Sequence, residues 1–468
     1  MRHRLLVLFT LVILSFSPTQ AQAPDTPAGG QLRAWLDAFN SGDAARLEQF
    51  PLGLEMGRLN ANQLQGFRFR TGGFELRKVE ESTATRLVGL LQERASDNFA
   101  RFTMEVDAQE PHQITKLELR ATPRPAEFAI QRLSDVDLIA ALKSRVDAEV
   151  AADRFAGVVL LAKNGNPLFT QAYGLADRDK KIANTENTRF RIGSMNKMFT
   201  ATAILQLVQD GKVKLEDPLD RYLPDYPNKH LASTVTIRQL LTHTGGTGDF
   251  FGPEFDAHRL EIRTLQDYVT LFGTRDVAFE PGSKWVYSNY GFLLLGLVVE
   301  KAAGVNYYEY VRDHVYAPAG MTRTGSEPEE DAVPDRAIGY MRVGGAWHTN
   351  ADTLPYRGTS AGGGYSTAGD FLRFANAIVG RKLLNATYTD LLTTGTVDAP
   401  GGQKYAYGFG DVRADGLRFF GHSGGAPGMN GDLRVYPESG YVVVALANLD
   451  PPAAGRVTQF VGNRLPKP

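Results

Sequence analysis

Two groups of strands at opposite ends of one long region constrain this chain more than any other feature. Gly157-Val158-Val159-Leu160-Leu161-Ala162 and Pro167 to Tyr173 flank Asn164-Gly165, which reads as a β-hairpin. Far downstream, Leu417 to Gly421, Gly431 to Tyr436 and Tyr441 to Asn448 read as three more strands, the last two joined by Pro437-Glu438-Ser439-Gly440. Ala453 to Leu465 reads as a closing helix. Helical patterns dominate between the two groups. The simplest arrangement is one antiparallel sheet assembled from both ends of the region and flanked by helices, an α/β fold of the α+β type.

At 468 residues the chain is too long for one ordinary core, so two or three domains are expected. Residues 1–23 read as a signal peptide. Met1-Arg2-His3-Arg4 is a basic start, Leu5 to Phe16 an apolar core, and Ala21-Gln22-Ala23 a small-residue cleavage signal, with Ala21 as the alternative cleavage point. Residues 24–121 read as a small α+β domain. Leu32, Trp35, Leu36 and Phe39 share a helix face, and Ala44 to Phe50 can form a second short helix. The period then changes to two over Phe74 to Val79, Phe99 to Val106 and Ile114 to Leu119, with Leu87 to Leu91 a further strand, which predicts an antiparallel meander. This pattern resembles the cone-shaped nuclear-transport-factor-like fold, and it carries no catalytic constellation. Residues 122–134 read as a linker through Thr122-Pro123-Arg124-Pro125, and residues 135–468 as the larger domain. Ser134 caps a helix carrying Leu138, Leu142, Val146 and Val150.

The chemistry-bearing stretch is Phe190 to Phe199. Met198, Ala201, Ile204, Leu205 and Val208 recur at helical spacing, and Gly211 closes the run. Ser194 and Lys197 are three apart, so they point the same way on that helix. Free backbone N–H groups and the positive end of the helix dipole lie in its first turn. Both would stabilise an oxyanion and disfavour a protonated Lys197, conditions that suit a serine nucleophile with a neutral lysine as its base. Such a lysine needs its pKa lowered from about 10.4 to about 7. Ser-x-x-Lys alone also fits an N-cap serine followed by a surface lysine.

Two further pieces stand downstream. Tyr287-Ser288-Asn289 lies on a loop entering the strongly apolar helix Phe292 to Ala303, which ends at Gly304. Asn289 also fits a helix N-cap, and Tyr287 a packed loop aromatic. Gly421-His422-Ser423-Gly424-Gly425 lies at the end of a strand. It also matches the Gly-x-Ser-x-Gly nucleophile elbow. Ala426-Pro427-Gly428 is a poor helix start, and no histidine follows His422, which argues against the elbow.

Composition narrows the chemistry. The chain has no cysteine, so disulfides, thiolate metal sites and a cysteine nucleophile are excluded. It has no His-x-His or His-Glu-x-x-His pair, so no metal or other cofactor is expected. A net charge of -1 gives no sign of a nucleic-acid partner. No second apolar run is long enough to span a membrane.

Ser194-Met195-Asn196-Lys197, Tyr287-Ser288-Asn289 and His422-Ser423-Gly424 stand in the order and spacing of the three motifs of serine β-lactamases and penicillin-binding proteins. The Tyr-x-Asn form resembles the class C branch and its relatives, the DD-peptidases, D-aminopeptidases and family VIII esterases. Leu240 to Gly246 and Gly362 to Thr367 also look like segments of that family, and the resemblance spans roughly 135 to 465. It implies a β-lactamase-like fold with a mostly helical second lobe, and a bacterial protein that is periplasmic or secreted. It implies acyl transfer by Ser194, with Lys197 and Tyr287 as proton-transfer partners. Asn289 would orient Lys197 and substrate, and His422 would bond Tyr287 or a substrate carboxylate. Gly424 and Gly425 would line the site, the N–H of Gly425 joining that of Ser194 in an oxyanion hole. His243, in a family-like segment, would order a loop beside the cleft. The departure is His422 where the β-lactamases have lysine. It favours an esterase, D-aminopeptidase or DD-carboxypeptidase acting on a small ester, a peptide or a cell-wall peptide. A true β-lactamase and a non-catalytic penicillin- or peptidoglycan-binding sensor are the alternatives.

Overall fold

The computed structural model describes residues 21–47, 49–50, 53–54, 57–58 and 60–467. The expected signal peptide lies outside the described residues except for its last three. The chain divides into two compact units, Met1–Ala129 and Ile130–Pro468.

The first unit opens with the helix Pro27–Ser41. Thr26 caps it by accepting a hydrogen bond from the Gly29 N–H at 3.1 Å, and Gly42 closes it at φ +73°. Leu32, Trp35 and Phe39 face inward, and the Trp35 and Phe39 rings stack with centroids 5.2 Å apart. Ala44–Leu47 forms a second short helix. A third, Ala61–Thr71, was not foreseen from the sequence. Its Gln- and Arg-rich run carries no clear apolar stripe, and a capping box between Asn60 and Gln63 starts it. The strands Phe74–Ser82, Arg86–Glu93, Phe99–Val106 and Ile114–Thr122 pair antiparallel in that order. Gly53–Leu54 adds to Ile114–Thr122 in parallel at the edge of this meander.

The second unit is built on an eight-stranded sheet. Across it run Val397–Ala399, Gln403–Tyr405, Gly410–Ala414, Leu417–Ala426, Met429–Tyr436, Tyr441–Ala447, Gly157–Lys163 and Asn166–Tyr173, each antiparallel to its neighbour. The two ends of the unit therefore meet at the seam between Tyr441–Ala447 and Gly157–Lys163, in register from Tyr441 opposite Lys163 to Ala447 opposite Gly157. Asn164 and Gly165, at φ +51° and +82°, make the tight hairpin turn.

Both faces of the seam are covered, which is why its strands read as unbroken apolar runs rather than alternating ones. Val158, Leu160, Val442, Val444 and Leu446 point to the core shared with the helices Asn196–Gln209 and Ala368–Val379. Val159, Leu161, Val443 and Ala445 point to the helices Asp135–Ala151 and Ala453–Gly462. Those two helices are also joined through Glu149, only 2 % exposed, which pairs with Arg154 at 2.8 Å and Arg456 at 3.1 Å. Removing one partner of such a buried cluster is costly, since the remaining charge stays desolvated.

Arg132 fastens the start of this unit to its end. Its guanidinium donates to the carbonyls of Gly462, Leu465 and Asp415 at 2.8, 3.2 and 2.7 Å, and the Leu133 N–H donates to Arg464. A chain beginning at Ile130 keeps all of these bonds and should retain, within about threefold, any hydrolytic turnover that the full chain shows. Loss of turnover in a truncation whose circular dichroism and thermal midpoint match the full chain would show that the first unit contributes to the site.

Candidate active site

Ser194 sits in a single 3₁₀ turn, Gly193–Met195, that leads into the helix Asn196–Gln209. It is therefore two residues upstream of the first residue of the α-helix rather than inside its first turn. Gly193 takes φ +51° to make this entry. Ser194 is partly exposed, whereas Lys197 is 0 % exposed.

The surroundings of Lys197 are specific. Its Nζ lies 3.3 Å from Ser194 Oγ, donates to Asn289 Oδ1 at 2.7 Å, and donates to the carbonyl of Ala361. It also stands over the Tyr287 and Phe292 rings, 4.7 and 5.5 Å from their centroids. Burial lowers its pKa to about 7, and the Asp249 carboxylate opposes the shift. The shift corresponds to about 5 kcal/mol against the charged form. Asn289 and Ala361 accept two of its hydrogens, and Ser194 Oγ is the third neighbour, which accepts a hydrogen from the ammonium form and can donate one to the neutral amine.

Helix side chains fix the Ala361 carbonyl. Asn196 Nδ2 donates to the Thr359 carbonyl at 2.6 Å, and Thr200 Oγ1 to the Ser360 carbonyl at 2.7 Å. Asn196, Lys197 and Thr200 thus hold three successive backbone oxygens, each on a residue less than 9 % exposed.

Tyr287 hydrogen-bonds Ser194, and burial raises its pKa well above the usual tyrosine value, so it keeps its proton across the neutral range. Asn289 is not the helix cap. Ser288 Oγ caps the helix Asn289–Ala303 by accepting from the Gly291 N–H at 2.9 Å, which frees the Asn289 amide. Asn289 Nδ2 donates to Asp249 Oδ2 at 2.8 Å. Asp249 is exposed at the cleft, and the sequence reading missed it. The signal was available only as an acid soon after the Leu240–Gly246 segment.

The third motif lies inside the strand Leu417–Ala426, not at its end. Its glycines read as a turn, but Gly424 and Gly425 continue the ladder opposite Gly431 and Asn430. Ser423 is exposed in mid-strand, with no helix after it, so no nucleophile elbow exists here. Gly424 lets the strand pass close to the nucleophile turn. A Cβ there would meet the Ile192 carbonyl oxygen at 1.9 Å and the Ser194 nitrogen at 3.0 Å.

His422 does not bond Tyr287, the first of its two expected partners. Its Nε2 pairs with the Tyr405 hydroxyl at 3.1 Å, and its ring centroid is 6.3 Å from that of Tyr287. Burial, with the Lys197 charge adding to it, lowers its pKa to about 4 despite the opposing bond to the Ser423 carbonyl. His243 is buried behind it, its ring 4.4 Å from that of Tyr287. Tyr405 was missed, because the short strand Gln403–Tyr405 that carries it has no apolar periodicity. Among the described residues, no group of His, Cys, Asp and Glu is arranged to hold a metal ion.

Comparison with known proteins assigns the class. The β-lactamase family model matches residues 142–464, and the chain belongs to that family. Its second unit has the fold of penicillin-binding proteins, and the family makes it a hydrolase of the serine acyl-transferring type. Penicillin-binding protein 4* of Bacillus subtilis is 30% identical over 318 residues, covering 63% of this chain and 68% of that one. The crystal structure of a penicillin-binding protein from Bacillus halodurans is 34% identical with a TM-score of 0.62, over 70% of this chain and 99% of that one. The D-amino acid amidase of Ochrobactrum anthropi is 27% identical with a TM-score of 0.60, over 69% and 98%.

Gly424→Ala should cut turnover at least ~100-fold, since a shift of about 1 Å at a reacting centre costs that much. It should also lower the thermal midpoint. Normal kinetics in this variant would show that the strand does not need its close approach to Ser194.

Proposed function

We propose that this protein is an exported serine hydrolase that cleaves esters or amides, including D-amino-acid amides and peptides, through an acyl-Ser194 intermediate. The observation that carries the reading is the buried Lys197, its pKa lowered to about 7, with Nζ 3.3 Å from Ser194 Oγ. The Ser194 proton passes to Lys197 Nζ as Oγ attacks the substrate carbonyl carbon. The carbonyl electron pair becomes an oxyanion held by the N–H groups of Ser194 and Gly425, with Gly424 keeping the strand close. The intermediate collapses, the carbon–leaving-group bond breaks, and the Lys197 proton reaches the leaving group through the Tyr287 hydroxyl. Water then attacks the ester by the same route in reverse and restores Ser194. Lys197 is the base, because the Tyr287 phenol holds its proton far above neutral pH.

Asn289 orients Lys197 and can meet a substrate amide. Asp249, bonded to Asn289, places a negative charge at the cleft, which supports an amine-bearing acyl group over an acidic one. The basic, apolar and small-residue segments of residues 1–23 support export to the periplasm or medium. No helix among the described residues is long and apolar enough to cross a membrane.

Ser194→Ala should lower kcat at least ~10⁴-fold with the fold intact, while Ser423→Ala keeps measurable activity. A non-catalytic binding protein would give no turnover of a nitrophenyl ester and no fluorophosphonate labelling in the wild type. A true β-lactamase would turn over a cephalosporin far better than the ester or a D-amino-acid amide.

The pH dependence follows from the lysine. Its protonated form cannot accept the Ser194 proton, so kcat/KM should rise with pH and level off above about 7. An acid limb centred near 4, the range of an unshifted carboxylate, would exclude Lys197 as the base.

A further inference from the structure

His422 belongs to a line of hydrogen bonds that can be oriented in one way only. The Ser288 N–H donates to His243 Nδ1 at 3.1 Å, so that nitrogen carries a lone pair. A neutral His243 must then hold its proton on Nε2, which faces the Tyr405 hydroxyl at 3.1 Å. With its oxygen accepting from His243, Tyr405 has its own proton free for His422 Nε2, also at 3.1 Å. The far end demands the same orientation. His422 Nδ1 lies 2.5 Å from the Ser423 carbonyl oxygen, which can only accept. The His422 proton is therefore on Nδ1, and Nε2 is an acceptor.

Three features show that this line is held firmly. His243 and Tyr405 are 2 % and 6 % exposed. His243 sits at φ +59°, a conformation that persists only where the surroundings enforce it. Its backbone carbonyl is also tied, accepting from the Val286 N–H at 3.0 Å.

Protonating His422 would put a second N–H against the Tyr405 oxygen. The buried Tyr405 proton would then have no acceptor, because His243 Nδ1 is already committed to Ser288. The titratable groups around His422 do not offer a counter-charge. They are Lys197 from the nucleophile helix, Tyr287 from the loop before Asn289, and His243 and Tyr405 in the line itself. Asp432 and Arg434, on the adjacent strand, are paired with each other at 2.9 Å, and Asp432 also accepts from Thr458.

We propose that His243 and Tyr405 are positioning residues that lock His422 as a neutral hydrogen-bond acceptor, so the strand edge beside Ser194 offers substrates no cation. The substrate class that follows is esters and amides whose leaving group carries no carboxylate. A carboxylate-bearing leaving group would find at His422 neither a charge nor a free N–H, because Nδ1–H is given to the Ser423 carbonyl and the Nε2 lone pair is taken by the Tyr405 hydroxyl. This substrate class rests on Ser194 being the nucleophile; the tautomers do not.

Two measurements test it. Nitrogen-15 NMR of the wild-type imidazoles, with the His422 signals assigned by their loss in His422→Gln, should show His422 protonated on Nδ1 and His243 on Nε2. Neither ring should titrate between pH 5.5 and 8. The Nε2-protonated form of His422, or a ring titrating near 6.5, overturns the proposal whether or not the enzyme turns over esters.

The kinetic arm compares a neutral nitrophenyl ester with the same ester bearing a carboxylate on its leaving group. In the wild type the ratio of the two kcat/KM values should be constant from pH 8 to 5.5. In Tyr405→Phe, His422 Nε2 loses its donor and a second ring N–H is no longer opposed by the Tyr405 proton, so the ring should take up a proton more readily as the pH falls, against the burial that still acts on it. The ratio should then move about tenfold toward the carboxylate-bearing ester as the pH falls. A wild-type ratio that already moves with pH, or a folded Tyr405→Phe whose ratio stays constant, overturns the proposal. If Tyr405→Phe does not fold, the wild-type ratio and the NMR decide.

Discussion

The structure depends on keeping one primary amine out of water. Lys197 is wholly enclosed, and its ammonium form is disfavoured by about 5 kcal/mol. That cost is tolerable only because the neutral form is fully satisfied. Asn289 and Ala361 accept its two N–H groups, and the Ser194 hydroxyl, 3.3 Å from Nζ, can donate to its lone pair. An amine with one acceptor fewer would leave a buried donor unpaired, and one with a facing carboxylate would stay charged. Asp249 lies between these limits. It acts on Lys197 through Asn289, at the cleft rather than in the core, and so tempers the shift without cancelling it.

The fold supplies these partners from four separate parts of the chain. The nucleophile helix brings Lys197, with Asn196 and Thr200 pinning the 359–361 backbone. The helix Asn289–Ala303, buried through most of its length, carries Asn289 at its first residue, where Ser288 does the capping. The strand Leu417–Ala426 passes the nucleophile turn at a distance only glycine permits at position 424. All of this rests on the seam where Tyr441–Ala447 meets Gly157–Lys163, covered on both faces.

Charge is managed the same way throughout the cleft. The Lys197 charge depresses the proton affinity of His422, and burial acts on both. Tyr287 and Tyr405 are held protonated by burial. At neutral pH the interior of the site is thus a set of largely uncharged, directional groups. The Asp249 carboxylate stands at its exposed edge.

Local sequence determined the hairpin at Asn164-Gly165, the terminal strands, the nucleophile helix and the three motifs, because each is written in short-range patterns of turn residues and periodicity. It also set the condition that Lys197 must lose about 3 pKa units to act as a base. The strands Val397–Ala399, Gln403–Tyr405 and Gly410–Ala414 escaped, since short Gly-rich strands gain their stability from neighbours rather than from their own composition. So did the helix Ala61–Thr71, and the extension of the third-motif strand through Gly425. Only the tertiary structure decided what lowers the lysine pKa, and what His422 bonds. The Ala361 carbonyl, Asp249, Tyr405 and His243 reach the site from distant segments. A backbone carbonyl leaves no mark in a side-chain pattern, and a hydrogen-bond direction exists only once its partners have met.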